Sequence, residues 1–185
     1  YDEEAGVRFD PVCGEPTQGN RVVVEGVKDS VESVIGGLGY AYQAVGIESE
    51  DPKLNYLTHL LFPDRLANFD TIFFNSSMDE AWMSDEEEVI TNLTEFVSNG
   101  GSLYASGTAY WIVEQIDPAA IDFEGDDSSH QSALIGQDGE VDATVMSPGL
   151  EEEFPTGIAS IDLKEGYALM VDVRDDVEVL VETNI

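Results

Sequence analysis

The stretch SLYASGTAYWIVE, from Ser102 to Glu114, is the part of the sequence that indicates the fold most directly. Its first five residues have the length and apolar character of a buried strand, and Gly107 then breaks that strand. Thr108 is a residue type that caps helices, and we expect the helix to run to Glu114. The stretch therefore predicts a strand that turns directly into a helix, which is the basic unit of an α/β protein.

Three further strands are predicted before this unit, over residues 21–25, 40–45 and 70–75. The first is a β-branched run and the third is strongly apolar, as expected for strands that are buried in a parallel sheet. Each is closed by a glycine or by serines, which favour turns.

Helices are predicted between these strands. The first begins after Asp29 or Ser30, and another begins with the capping box of Ser84 and Glu87 and ends at a left-handed glycine cap over 99–101. The apolar face of the first helix consists of Val31, Val34, Ile35 and Leu38. Alternating strands and helices predict an α/β fold, a three-layer sandwich whose central sheet is mainly parallel and covered by helices on both faces.

The last third of the chain has a different pattern. Residues 141–146, 157–163, 167–173 and 177–181 are strand-like and separated by turns. This part is predicted to be β-rich, either extending the same sheet or adding a small antiparallel layer. Because 185 residues fit one domain better than two, we predict a single domain over 21–185 that follows an irregular lead-in at 1–20.

The charge of the chain excludes some classes of partner. Asp and Glu number 39 against 7 Lys and Arg, which gives a net charge of -32. Such a surface repels nucleic acid and anionic membranes, and no stretch is long and apolar enough to span a bilayer. The acidity favours a protein adapted to high salt, an extracytoplasmic protein that meets divalent cations, or a merely soluble surface. From this acidity we expect an extracytoplasmic or secreted protein more than a cytoplasmic one. The chain begins at Tyr1, which is typical of a trimmed or processed form.

The carboxyl ends of the predicted strands indicate where a ligand would bind. In parallel α/β sheets, loops and helix N-termini converge at these ends. The polar and glycine residues predicted there are Glu25, Asn75, Ser76, Ser106, Gly107 and Thr108. They form the candidate ligand site.

The same residues carry a resemblance to a known superfamily. The order of the strands at 21–25, 40–45 and 69–75, the helix end FVSNGG at 96–101 and the unit SLYASGTAY at 102–110 resembles the class I glutamine amidotransferase-like proteins of flavodoxin-type fold. The likeness covers about 21–150 and is greatest to members without an assigned function. It implies a flavodoxin-like sheet with a ligand pocket at the strand-turn-helix.

Enzymes of that superfamily have a cysteine in this turn and a His-x-Glu pair downstream, and this chain has neither. The matching position is occupied by Ser106, and His130 is followed by Gln131 and Ser132. The only cysteine, Cys13, lies in the lead-in. The resemblance therefore implies the fold and the location of the pocket, and we expect a non-catalytic binding or structural module without a cofactor.

Two alternatives remain from the sequence. In the first, Ser106 is the nucleophile of a serine hydrolase or amidase and His130 is its base, although the Gly-x-Ser-x-Gly pattern is absent. In the second, the protein is a calcium- or salt-dependent surface protein, and the acidic turns at 124–127 and 172–176 each supply part of a cation site. The simpler interpretation of both turns is a solvated acidic surface.

Overall fold

The computed structural model describes residues 20–46, 60, 62–76, 87–125, 132–136, 138–150, 152–163 and 167–183. The chain divides into two compact units, Tyr1–Ile112 and Val113–Ile185. Several sequence predictions fall outside the described residues: nearly all of the lead-in, Cys13, the capping residue Ser84, and His130.

The first unit contains a parallel sheet of four strands. They are β1 (Arg21–Val24), β2 (Gln43–Val45), β3 (Thr71–Phe74) and β4 (Ser102–Ala105), in the order β2-β1-β3-β4. All three pairings are parallel, with Val22 opposite Ile72 and Phe74 opposite Ala105. The structure thus confirms a mixed α/β protein with a parallel sheet, and each strand lies within its predicted stretch.

The β-branched run of β1 forms the centre of this sheet. Val22, Val23 and Val24 are 1%, 0% and 0% exposed. Because successive side chains of a strand point to opposite faces, three consecutive buried residues mean that both faces of β1 are shielded from solvent. Each buried valine contributes about 1.5 to 3 kcal/mol of hydrophobic stabilisation.

The first helix, α1 (Val31–Gly37), lies where the sequence predicts it, but it buries little of its surface. It begins after Ser30, but the Ser30 side chain makes no capping hydrogen bond and instead donates to Glu32 at 2.8 Å. Of the predicted apolar face only Ile35 is buried, whereas Val34 is 61% exposed. Leu38 is the C-cap and is 38% exposed, so this short helix buries only one of the four residues of its predicted apolar face.

Two further helices belong to the first unit. Helix α2 (Pro63–Leu66) was not predicted, and its proline occupies the first turn, where no backbone N–H is needed. Helix α3 (Glu87–Ser98) buries Val89, Asn92, Leu93 and Phe96. It ends at Ser98, and the predicted glycine cap follows at Gly100, whose φ of 96° is left-handed.

The strand-turn-helix after β4 differs from the prediction in its turn. A 3₁₀ turn, Gly107–Ala109, precedes helix α4 (Tyr110–Ile116), so Thr108 lies inside the turn and does not cap α4. The reason is the φ of 49° at Gly107, which tightens the chain so that the Ala109 N–H donates to the Ser106 carbonyl at 2.9 Å. Ser106 itself has ordinary extended backbone angles, so the turn places no strain on it.

The second unit is β-rich, as predicted, and its described strands pair in sheets of their own. Strand β5 (Ile121–Phe123) pairs antiparallel with β8 (Met170–Val173). Strand β6 (Gly139–Val145) lies between β7 (Ile158–Leu163) and β9 (Val181–Glu182), again antiparallel. The sequence did not predict β5. The strand predicted over 177–181 is reduced to the two residues of β9.

The acidic turn at 172–176 contains an arginine that pairs with its neighbours. The guanidinium of Arg174 lies 2.9 and 3.0 Å from the two carboxylate oxygens of Asp117, and its Nε lies 2.5 Å from Asp176. No group of three potential metal ligands occurs among the described residues. Among the acids of this turn, Asp176 therefore forms an ion pair with Arg174, which also pairs with Asp117 from another part of the chain.

Replacing Arg174 with glutamine is expected to change how stability depends on pH. The hydrogen bonds from Arg174 hold the pKa of Asp117 and of Asp176 below its usual range. A carboxylate with a depressed pKa stabilises the fold above its unfolded pKa and loses that contribution as pH falls through the folded value. The melting temperatures of the wild type and of Arg174→Gln should therefore differ at neutral pH and converge below about pH 4.

The control is Arg65→Gln. It removes the same positive charge, but from an arginine whose guanidinium lies over the Phe62 ring. Thermal melts followed by circular dichroism from pH 7 to pH 3 compare the three proteins. A gap between wild type and Arg174→Gln that stays constant to pH 3 would show that these carboxylates are not coupled to Arg174.

Candidate functional site

The carboxyl ends of β1, β3 and β4 lie side by side, as the parallel pairing requires. The Asn75 N–H donates to the Val24 carbonyl at 3.1 Å, and the Ser106 N–H donates to the Phe74 carbonyl at 3.2 Å. These bonds extend the sheet by one residue beyond β3 and β4. They bring the loops that follow the three strands together at one edge.

Asp29 joins the three loops. Its Oδ1 accepts the Ser76 N–H at 2.6 Å, and its Oδ2 accepts the Ser106 hydroxyl in a short hydrogen bond. The sequence placed Asp29 next to a helix start, where a capping role explains an aspartate equally well. The sequence could have indicated Asp29 as a site residue through its position in the loop after β1, because that loop lies at the same sheet edge as Asn75 and Ser106.

Asn75 connects the end of β3 to helix α1. Its Nδ2 donates to Glu32 Oε2 at 2.8 Å and to the Asp29 carbonyl at 3.4 Å. Asn75 is fully buried, and its Oδ1 has no hydrogen-bond partner among the described residues. Partial burial acts to raise the pKa of Glu32, but the hydrogen bonds it accepts, including those from Ser30 and Asn75, outweigh this and lower the pKa below its usual value.

Ser76 and Thr108 form a second connection, between the loop after β3 and the turn after β4. The Thr108 N–H donates to Ser76 Oγ at 3.2 Å, and the two hydroxyl oxygens are 3.5 Å apart. Ser76 is 5% exposed, whereas Thr108 is half-buried. The turn that contains Gly107 is thus held against β3 by side-chain and backbone contacts.

Gly26 lets the β1 loop approach the β3 loop closely. A Cβ at this position would lie 2.1 Å from the Ser76 carbonyl oxygen, which accepts the Lys28 N–H at 3.4 Å. The side chain of Glu25 is exposed, and its Oε2 lies near Gly46. Of the six residues predicted from the strand ends, the structure brings four into one hydrogen-bonded network, namely Asn75, Ser76, Ser106 and Thr108. Gly107 lies in the turn between Ser106 and Thr108, and Glu25 lies at the margin.

The Ser106 hydroxyl has two hydrogen-bond acceptors in this network. The Ser106 hydroxyl is directed to the Asp29 carboxylate and, at 3.4 Å, to the Phe74 carbonyl. A carboxylate is a much weaker base than the imidazole that takes the proton in serine hydrolases. The proposed base His130 lies outside the described residues, so the pairing of Ser106 with His130 remains a prediction.

The chain matches no family model, no curated protein and no solved structure. Among the described residues, no helix has the length and apolar character that crossing a bilayer requires.

Proposed function

We propose that this protein is a non-catalytic binding domain of the class I glutamine amidotransferase-like superfamily, which takes its ligand at the carboxyl edge of the parallel sheet. The observation that carries the proposal is the Ser106 hydroxyl, which donates its hydrogen to the Asp29 carboxylate. Serine attacks a substrate only after a base takes its proton, so a hydroxyl that is held by a carboxylate is better suited to orient a ligand.

The fold, the polar groups of the network and the charge of the chain support further parts of the proposal. A three-layer flavodoxin-like arrangement places helix N-termini and strand ends at this edge, which is where such sheets bind ligands. The network contains three hydroxyl groups, an amide and two carboxylates, so it suits a polar ligand that both donates and accepts hydrogen bonds. The net charge of -32 fits an exported or salt-adapted protein.

Catalysis is tested by direct assay. We expect neither L-glutamine nor p-nitrophenyl acetate to be hydrolysed faster by the wild type than by Ser106→Ala. The physical reason is that the Ser106 hydroxyl donates to a carboxylate, whereas a serine hydrolase needs an imidazole or another base to take the proton of its serine. Turnover that disappears in Ser106→Ala would overturn the non-catalytic assignment and favour the serine hydrolase.

Binding at the edge is tested by nuclear magnetic resonance with small polar probes. N-methylacetamide, ethanolamine and glycerol are titrated into ¹⁵N-labelled protein, and at least one should shift the amide signals of Ser76, Ser106 and Thr108. Thr108→Val should reduce these shifts, whereas Thr91→Val, on the exposed part of α3, should leave them unchanged. If no probe shifts these signals, or if Thr108→Val responds as the wild type does, the sheet edge is not the binding site.

A further inference from the structure

A cavity of about 350 Å³ lies at the opposite edge of the sheet, where β3 and β4 begin. Its walls come from α2, from α3 and from the segments that lead into the two strands. The volume is within the range of small-molecule sites in proteins. None of the residues in the network around Asp29 lines this cavity.

Two buried apolar side chains line one side of the cavity. Leu66 and Phe96 line it and are 2% and 8% exposed. The Phe96 ring packs directly against the backbone of Gly101, where an added Cβ would lie 2.3 Å from the ring. The absence of a side chain at Gly101 therefore allows the ring to lie against the backbone, where its surface can pack against an apolar or aromatic group.

The charged groups on the walls are carboxylates, which accept hydrogen bonds, and an asparagine lies beside them. Asp70 accepts the Asn20 N–H at one oxygen, at 2.8 Å, and Glu95 presents an exposed carboxylate. Asn92 is 6% exposed and donates its Nδ2 to the Leu60 carbonyl at 3.0 Å. Its Oδ1 is left as an acceptor with no partner among the described residues.

The end of helix α3 adds to the negative potential of the cavity. The cavity is lined by Asn99, Gly100 and Gly101, which follow the last turn of this 12-residue helix. The last turn contains no basic residue, although a positive charge there would offset the negative end of the helix dipole. No lysine or arginine is found among the described lining residues either.

We propose that this cavity binds a small organic cation, an ammonium or guanidinium group on an apolar or aromatic body. The apolar body packs against Leu66 and Phe96, and the cationic head donates hydrogen bonds to the carboxylates and to Asn92. An anion is repelled by every charged group on the walls. A bare metal ion is disfavoured because no cluster of three ligating side chains occurs among the described residues.

The probe is phenethylamine, and 2-phenylethanol is its uncharged analogue of the same size. Both are titrated into ¹⁵N-labelled protein at the sodium chloride concentration at which circular dichroism shows it folded. We expect phenethylamine to shift the amide signals of Gly100 and Gly101 and to bind up to about fivefold more tightly than the alcohol, which is what one partly exposed ion pair contributes.

Two kinds of variant distinguish the contribution of the carboxylates to binding from the contribution of the shape of the cavity. Asp70→Asn and Glu95→Gln should each weaken phenethylamine binding by up to about fivefold, while Glu88→Gln, on the same helix but away from the cavity, should not. Ala67→Trp fills the cavity and should abolish binding of both probes. Each variant is checked for an unchanged circular dichroism spectrum.

Equal affinity for the amine and the alcohol, or unchanged binding when both carboxylates are neutralised, would overturn the proposal. So would the absence of any shift at Gly100 and Gly101 at millimolar phenethylamine. Because the signals followed here differ from those at Ser76, Ser106 and Thr108, failure of this site is distinguishable from failure of the proposed function.

Discussion

Gly26→Ala is expected to lower the free energy of unfolding by about 3 kcal/mol. The added methyl group would lie 2.1 Å from the Ser76 carbonyl oxygen and 3.0 Å from the carbonyl carbon of Asn75. Both atoms belong to backbone that is held by the pairing of β1 and β3, so neither can move without breaking hydrogen bonds. Urea denaturation of the wild type and the variant measures the loss.

Gly37→Ala is the matched control for this prediction. Gly37 is the last residue of α1, and an added Cβ there meets no atom within 4 Å. Alanine also has a higher helix propensity than glycine, so this variant should be as stable as the wild type or more stable by up to about 1 kcal/mol. Equal stabilities of the two alanine variants would mean that the β1 and β3 loops are not in contact.

Asp29→Ala is expected to cost about 2 to 3 kcal/mol of stability. The substitution leaves the buried Ser76 N–H and the Ser106 hydroxyl without their acceptor. Because the acceptor is charged, each of these hydrogen bonds is stronger than one between neutral groups. The loss is measured by urea denaturation at neutral pH.

A double-mutant cycle with Ser106→Ala isolates the contact between the two side chains. We expect a coupling free energy of about 1.5 kcal/mol or more between Asp29 and Ser106. Glu25→Ala removes a carboxylate from the same loop, but from an exposed position, and should change stability by less than about 0.5 kcal/mol. Additive effects of Asp29→Ala and Ser106→Ala would contradict the geometry of the network.

The parallel sheet could be predicted from the sequence because each strand is a short apolar run closed by a turn residue. The cap at Gly100 was equally predictable, since a glycine after an amphipathic helix has one common role. The start of α4 could not be predicted in this way. Whether Thr108 caps the helix or lies in a 3₁₀ turn depends on the φ angle at Gly107. Strand β5 was missed because three residues carry no period.

The candidate site was predictable only to the level of strand ends. The rule that loops converge at the carboxyl ends of parallel strands led to Asn75, Ser76 and Ser106 without any knowledge of their contacts. Asp29 is separated from Ser76 by 47 positions and from Ser106 by 77, and no local pattern reports pairings at such distances. The cavity at the opposite edge depends likewise on the packing of Phe96 against Gly101.

The hydrogen bonds around Asp29 and Glu32 have a consequence for a protein of such high negative charge. The donors shown for these two carboxylates are hydroxyl, amide and backbone N–H groups, all of them uncharged. Ionic strength weakens attraction between separated full charges at a surface, but it has little effect on a short hydrogen bond from a neutral donor. The geometry of the sheet edge is therefore decoupled from the salinity of the surroundings, whereas the exposed pairs of Arg174 are not.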